Sequence, residues 1–149
     1  MILNRQRSVR VARRPLESFL RRVQGQLGLQ EAGVTICLVS DAEIARMNEA
    51  FRKKKGPTDV LSFPSVARRR PVPLRRNPSK GKVGDYLGDV AISPATARRY
   101  AEKSGRKLPS ELRVLILHGV LHLLGYDHET DRGQMDRVER KLRKRLGLA

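Results

Sequence analysis

Apolar residues along the chain recur in two periods, one helical and one extended, and the switches between them mark the predicted elements. Leu16, Phe19, Leu20, Val23 and Leu27 follow one another at steps of three and four between Pro15 and Gly28. That spacing predicts a helix, with proline suited to its first turn and glycine to its end. Its other face is rich in arginine. Ahead of it, residues Met1 to Gln6 predict a short first strand in which only Ile2 and Leu3 are apolar. Val34 to Val39, VTICLV, is an unbroken and largely β-branched run, as in a strand buried on both faces. Ser40 or Asp41 then caps a helix to about Phe51, with Ile44, Met47 and Phe51 inward and Glu43 in the first turn.

After the loop RKKKGP, the run TDVLSFP predicts a strand of about five residues. Residues 67–84 hold three prolines, two glycines and no acid, the composition of a loop. Tyr86 to Ser93, YLGDVAIS, predicts another strand, and Ser93 before Pro94 starts a helix to about Ser104. Pro109 and Ser110 open a helix in which Leu112, Leu115, Ile116 and Leu123 leave few polar sides, so it is expected to be the central buried helix. A last helix begins near Asp131 and runs to about Leu146, with Met135, Val138, Leu142 and Leu146 inward and a basic outer face. Strands and helices are interspersed, and some connections are too short for parallel crossovers. The expectation is a single compact α+β domain over residues 1–149, a mixed sheet of about four strands packed with about five helices.

Charge narrows the partner. The 149 residues carry 32 Lys and Arg against 15 Asp and Glu, a formal charge of +17, which points to a polyanion. Nucleic acid fits better than a membrane, because the longest apolar run, near residues 114–124, is broken by histidines and too short to span. The opening MILNRQRSVRVARR lacks the apolar core of a signal peptide, so a cytoplasmic protein is expected. The single cysteine, Cys37, excludes an internal disulfide, and inside VTICLV it reads as a small core residue rather than a nucleophile. With three Phe, three Tyr and no Trp there is little material for a base-stacking platform, so contact with RNA is expected to be mostly electrostatic and sensitive to salt.

All three histidines fall within HGVLHLLGYDH, from His118 to His128. On a helix, His118 and His122 stand one above the other and aim both imidazoles at one point. Gly125 follows where a left-handed residue would end the helix, so His128 can return to the same point. Three nitrogen ligands with an open fourth position are how a catalytic zinc ion is held, and one Zn2+ at the end of the central helix is expected. Asp127, next to the third histidine, is placed to orient a ligand imidazole from outside the ligand set. HxxxHxxGxxH is also the spacing of the metzincin proteases, but their general-base glutamate is replaced here by Gly119. That glycine either admits a close approach to the helix or tolerates tight packing on the sheet.

The other half of a site must come from elsewhere, and Asn48, Arg52, Thr58, Asp59 and Ser62 are the polar candidates among the strand signals. Arg52 offers a planar, permanently charged fork suited to phosphate, though a cation at a helix C-terminus is also a common structural feature. Lys53, Lys54 and Lys55 would attract RNA without orienting it. Arg68, Arg69, Arg70, Arg75 and Arg76 make the 67–84 loop basic enough to clamp phosphates. Asp59 and Asp89, inside apolar runs, read as makers of structural hydrogen bonds.

With these residues in view, the chain resembles the YbeY family of endoribonucleases and ribosomal RNA maturation factors. The resemblance rests on HGVLHLLGYDH, on NEAFRKKKGPTDVLSFP from Asn48 to Pro64 and on LGDVAIS from Leu87 to Ser93, and covers roughly residues 31 to 140. It implies a compact α+β fold, zinc on the three histidines and a role in RNA processing for Arg52. It also implies action on single-stranded RNA and on the 3′ end of small-subunit ribosomal RNA, and a part in ribosome quality control. Its implied partners are ribosomal RNA and the small ribosomal subunit, with ribosomal proteins or assembly GTPases beside them. Where the family reads RGKDxPTDVLSF, this chain has Arg52 followed by Lys53, Lys54, Lys55 and Gly56, losing an acid and gaining positive charge. The expected reaction is metal-assisted phosphodiester cleavage with Arg52 stabilising the charge that builds on phosphorus-bound oxygens. Two alternatives stand beside it: a non-catalytic assembly factor with a structural zinc, and a metal-dependent peptide or amide hydrolase.

Overall fold

In the computed structural model, which describes residues 1–65, 86–127 and 131–148, a four-stranded sheet is the frame on which everything else is hung. Strand β1 (Ile2–Asn4) pairs in parallel with β2 (Gly33–Leu38), and β2 in parallel with β4 (Tyr86–Ile92). Strand β3 (Val60–Pro64) closes the edge antiparallel to β4, giving the order β1-β2-β4-β3 and the mixed sheet that the short connections predicted. The helices are α1 (Arg13–Gln26), α2 (Asp41–Arg52), α3 (Pro94–Ser104), α4 (Leu108–Leu123) and α5 (Gln134–Arg145). Among the described residues no helix is long and apolar enough to cross a membrane.

Caps set the starts of two helices where the sequence placed them. Ser40 Oγ accepts the Glu43 backbone N–H at 3.1 Å, and Ser93 Oγ accepts that of Thr96 at 3.3 Å, with Pro94 opening α3. The predicted first strand is shorter than Met1 to Gln6. Gln6 bridges to Val9 through Nε2 to the carbonyl at 2.9 Å and from the Val9 N–H to Oε1 at 3.0 Å, a closed turn that takes the chain away from β2. Helix α1 buries Leu16, Phe19, Leu20 and Val23 as its period required.

Alternate residues of the central strands point to opposite faces and join separate clusters. Val34, Ile36 and Leu38 of β2 and Val90 and Ile92 of β4 pack with α1, α4 and Met135 of α5 in the main core. On the reverse face, Val39, Leu61 and Ala91 meet Ile44 of α2, with Cys37, Met47 and Phe63 partly buried beside them. The expectation that β2 is buried on both faces holds at Thr35, which is buried, and fails at Cys37, which is half-buried. Helix α2 covers only one end of that face, and both residues lie along the groove that the rest of it forms. Burial foremost, with Asp89 and Glu43 adding to it against Arg5, pushes the Cys37 thiol up, consistent with an unreactive side chain.

Helix α4 is the central helix, as expected. It contacts α1, α3, α5, β3 and β4, and buries residues on nearly every side, including Leu112, Leu115, Ile116, Leu117, Val120 and Leu121. Its one buried acid, Glu111, is paired with Arg106 at 3.0 Å.

Candidate metal centre and its groove

The site is built on the C-terminal turns of α4. Helical spacing stacks His118 over His122, their rings 4.6 Å apart at 70°, and their Nε2 atoms approach to 3.0 Å. Two imidazole nitrogens at that separation cannot both present lone pairs without a proton or a cation between them. On the far side of His118, Nδ1 lies 3.5 Å from Oε1 of Glu139, a buried acid on α5. A carboxylate there favours the proton on Nδ1 and leaves the Nε2 lone pair directed at His122. Imidazole nitrogens are donors of the kind that zinc, the ion expected from the sequence, accepts.

Helix α4 ends as its glycine requires. Gly125 has φ 98°, the Gly125 N–H bonds to the His122 carbonyl at 3.0 Å, and the Tyr126 N–H reaches back to Leu121 at 3.2 Å. These two bonds and the left-handed residue form a Schellman reversal. The turn brings Asp127 round to line the same groove as His118 and His122. His128 lies outside the described residues, and among those described no three His, Cys, Asp or Glu side chains assemble as a metal site.

Gly119 is resolved in favour of tight packing. A Cβ on it would lie 2.6 Å from Val90 Cγ1 and 3.0 Å from Cγ2, so the sheet occupies the place where a side chain would start. No glutamate fits there. Ser62 completes the contact by donating from Oγ to the Gly119 carbonyl at 3.2 Å.

The groove, about 1360 Å³, runs over the open face of the sheet. Arg52, Thr58, Asp59 and Ser62 line it together with both imidazoles. Asn48 does not line it. It is buried, and Nδ2 donates to the Gly56 carbonyl at 3.0 Å, which ties down the loop after Arg52. That loop starts from Lys53 in the left-handed conformation, φ 56°, which ends α2 and leaves Arg52 exposed as its last residue. Lys53, Lys54 and Lys55 are also exposed and lie beyond the groove lining. Asp59 precedes β3 rather than lying inside it, and takes a 3.4 Å bond from Thr58 Oγ1. Asp89 accepts from the Tyr86 hydroxyl, the structural role expected of it. Arg68, Arg69, Arg70, Arg75 and Arg76 fall outside the described residues.

The family model for "Endoribonuclease YbeY" matches residues 1–147. The chain belongs to the endoribonuclease YbeY family. Endoribonucleases YbeY of Solibacter usitatus and Koribacter versatilis are among its relatives. The first is 44% identical over 137 residues, covering 91% of this chain and 81% of the relative. The second is 38% identical over 148 residues, covering 99% and 86%. In fold, the chain is similar to a Thermotoga maritima protein solved in solution, with a TM-score of 0.61, 24% identity and coverage of 98% of this chain and 89% of that one.

Two features of this family member, one behind His118 and one in the groove, escape a reading of the sequence. Glu139 is one, although its place between the inward Met135 and Leu142 was a signal, since an acid on a buried helical face needs a partner. Phe51 is the other. It was expected inward with Ile44 and Met47, yet it is 70% exposed, because burial fades along α2 as the helix leaves the sheet.

Proposed function

We propose that this family member is a zinc-dependent endoribonuclease that cuts single-stranded RNA, matures the 3′ end of small-subunit ribosomal RNA and serves ribosome quality control in the cytoplasm. The observation that carries the reading is one groove lined by His118, His122 and the Arg52 guanidinium. His118 and His122, with His128 as third ligand, hold one zinc ion, and Glu139 keeps the His118 imidazole in the ligating tautomer. When bound, such an ion supplies Lewis-acid polarisation of a phosphoryl oxygen and a water acidified into the neutral range. Arg52 binds the scissile phosphate and stabilises the added charge on its non-bridging oxygens, a task for a planar fork that is always protonated. No carboxylate takes the metzincin position, which the contact of Gly119 with Val90 closes, so the peptide-hydrolase alternative has no base there. The net charge of +17 attracts the RNA and makes its affinity fall with salt. Ribosomal RNA within the small subunit is the proposed substrate, with ribosomal proteins or assembly GTPases as accessory partners.

The experiment is metal analysis and cleavage of single-stranded RNA by the intact protein beside His122→Ala and Arg52→Ala. Loss of metal and of cleavage in His122→Ala, with metal retained and cleavage lost in Arg52→Ala, supports the assignment. Undiminished cleavage by metal-free His122→Ala overturns it.

A further inference from the structure

Phe51 is more exposed than the other large hydrophobic side chains that stand out in water among the described residues, at 70% against 63% for Met1 and 45% for Tyr86. A lone phenyl ring on a surface is ordinary and calls for no explanation. This one is not alone. It packs edge to face on Phe63, with centroids 4.9 Å apart and planes at 71°, and Phe63 is fixed in β3 against β4. Both rings line the groove that also holds His118, His122 and Arg52, and Arg52 is the next residue along α2. A ring held in place by a partner, largely open to water and beside an exposed guanidinium, is what a nucleotide would meet: a surface for its base and a charge for its phosphate.

We propose that Phe51 stacks on a nucleobase of the single-stranded substrate while Arg52 engages a neighbouring phosphate, an assignment that rests on the endoribonuclease reading above. The base must leave the stack of its neighbours to reach the ring, which a paired strand resists and a single strand allows. Phe51 is thereby a determinant of single-strand selectivity. Every base has a π face, so the contact tolerates sequence, and being uncharged it adds affinity that salt does not screen. The contact would stand beside the mostly electrostatic attraction expected from the composition.

The test is steady-state cleavage of a labelled single-stranded oligoribonucleotide by the zinc-loaded wild type, Phe51→Leu, Phe51→Tyr and Phe51→Trp, with thermal melting of each. Phe51→Leu is expected to raise KM by about 5- to 150-fold, the range of base stacking on aromatic side chains, with a smaller change in kcat and the same dependence of KM on salt. Tyr and Trp should restore KM to within a few fold. A walk of single abasic sites should find one position that raises the wild-type KM by the same factor and leaves Phe51→Leu unaffected. A wild-type KM in a normally melting Phe51→Leu, or equal losses in the Leu and Tyr variants, overturns the stacking role and leaves the nuclease reading intact. A wild type that does not cut single-stranded RNA removes both.

Discussion

Oε1 of Glu139 on α5 stands 3.5 Å from Nδ1 of His118 on α4, while Nε2 of the same imidazole stands 3.0 Å from that of His122. One ring is thus engaged on both nitrogens, by an acid behind it and by a second imidazole in front. The acid belongs to the last helix, and the packing of α5 on α4 is what connects the site to the far end of the chain. Glu139→Gln keeps the shape and removes the charge. It is expected to weaken zinc binding about 10- to 100-fold, measured by titration against a competing chelator. An unchanged affinity would show that the packed rings need no carboxylate.

Gly119 and Val90 define the distance between α4 and the sheet. Gly119→Ala places a methyl group 2.6 Å from Val90 Cγ1 and is expected to cost about 1–3 kcal/mol in urea unfolding. The double variant Gly119→Ala/Val90→Ala should lose less than the sum of the single losses, because trimming the valine returns the space. Additive losses would place the strain elsewhere.

Arg52→Ala is expected to lower kcat about 100- to 1000-fold with little change in melting temperature, since its side chain is exposed. Arg52→Lys should recover only part of the rate, because a point charge does not replace a planar fork. Full activity in the lysine variant would reduce Arg52 to simple electrostatic attraction.

Asp41 joins α2 to α3 by accepting from Ser93 Oγ at 2.6 Å, Thr96 Oγ1 at 2.7 Å and Arg99 Nη1 at 2.9 Å. Burial alone would raise its carboxyl, but the three hydrogen bonds and the arginine charge outweigh burial and hold it below its ordinary value of 3.8. A carboxyl with a lowered folded pKa adds stability above the unfolded value and loses it as pH falls through the folded one. The melting temperatures of wild type and Asp41→Asn should therefore differ at neutral pH and converge below pH 3.8. A gap that persists in acid would assign the effect to the shape of the cluster.

Much of this was open to a reader of the sequence because it is decided locally. The period of Leu16, Phe19, Leu20 and Val23, the caps at Ser40 and Ser93, and the left-handed Gly125 each depend on a few neighbouring residues, and each stands where the pattern put it. The meeting of His118 and His122 is local as well, since helical geometry alone aligns residues four apart. So the histidine pair, the mixed sheet and the central helix followed from the sequence by itself.

The tertiary structure decided whatever depends on which surfaces meet. No local rule says that α5 turns Glu139 toward His118, that Val90 fills the space above Gly119, or that α2 leaves the sheet before Phe51. Nor does one bring Arg52 into the groove of two imidazoles more than sixty residues away. A side chain's period fixes its direction about its own axis, but its surroundings are fixed by where distant elements pack, and packing is a property of the whole chain.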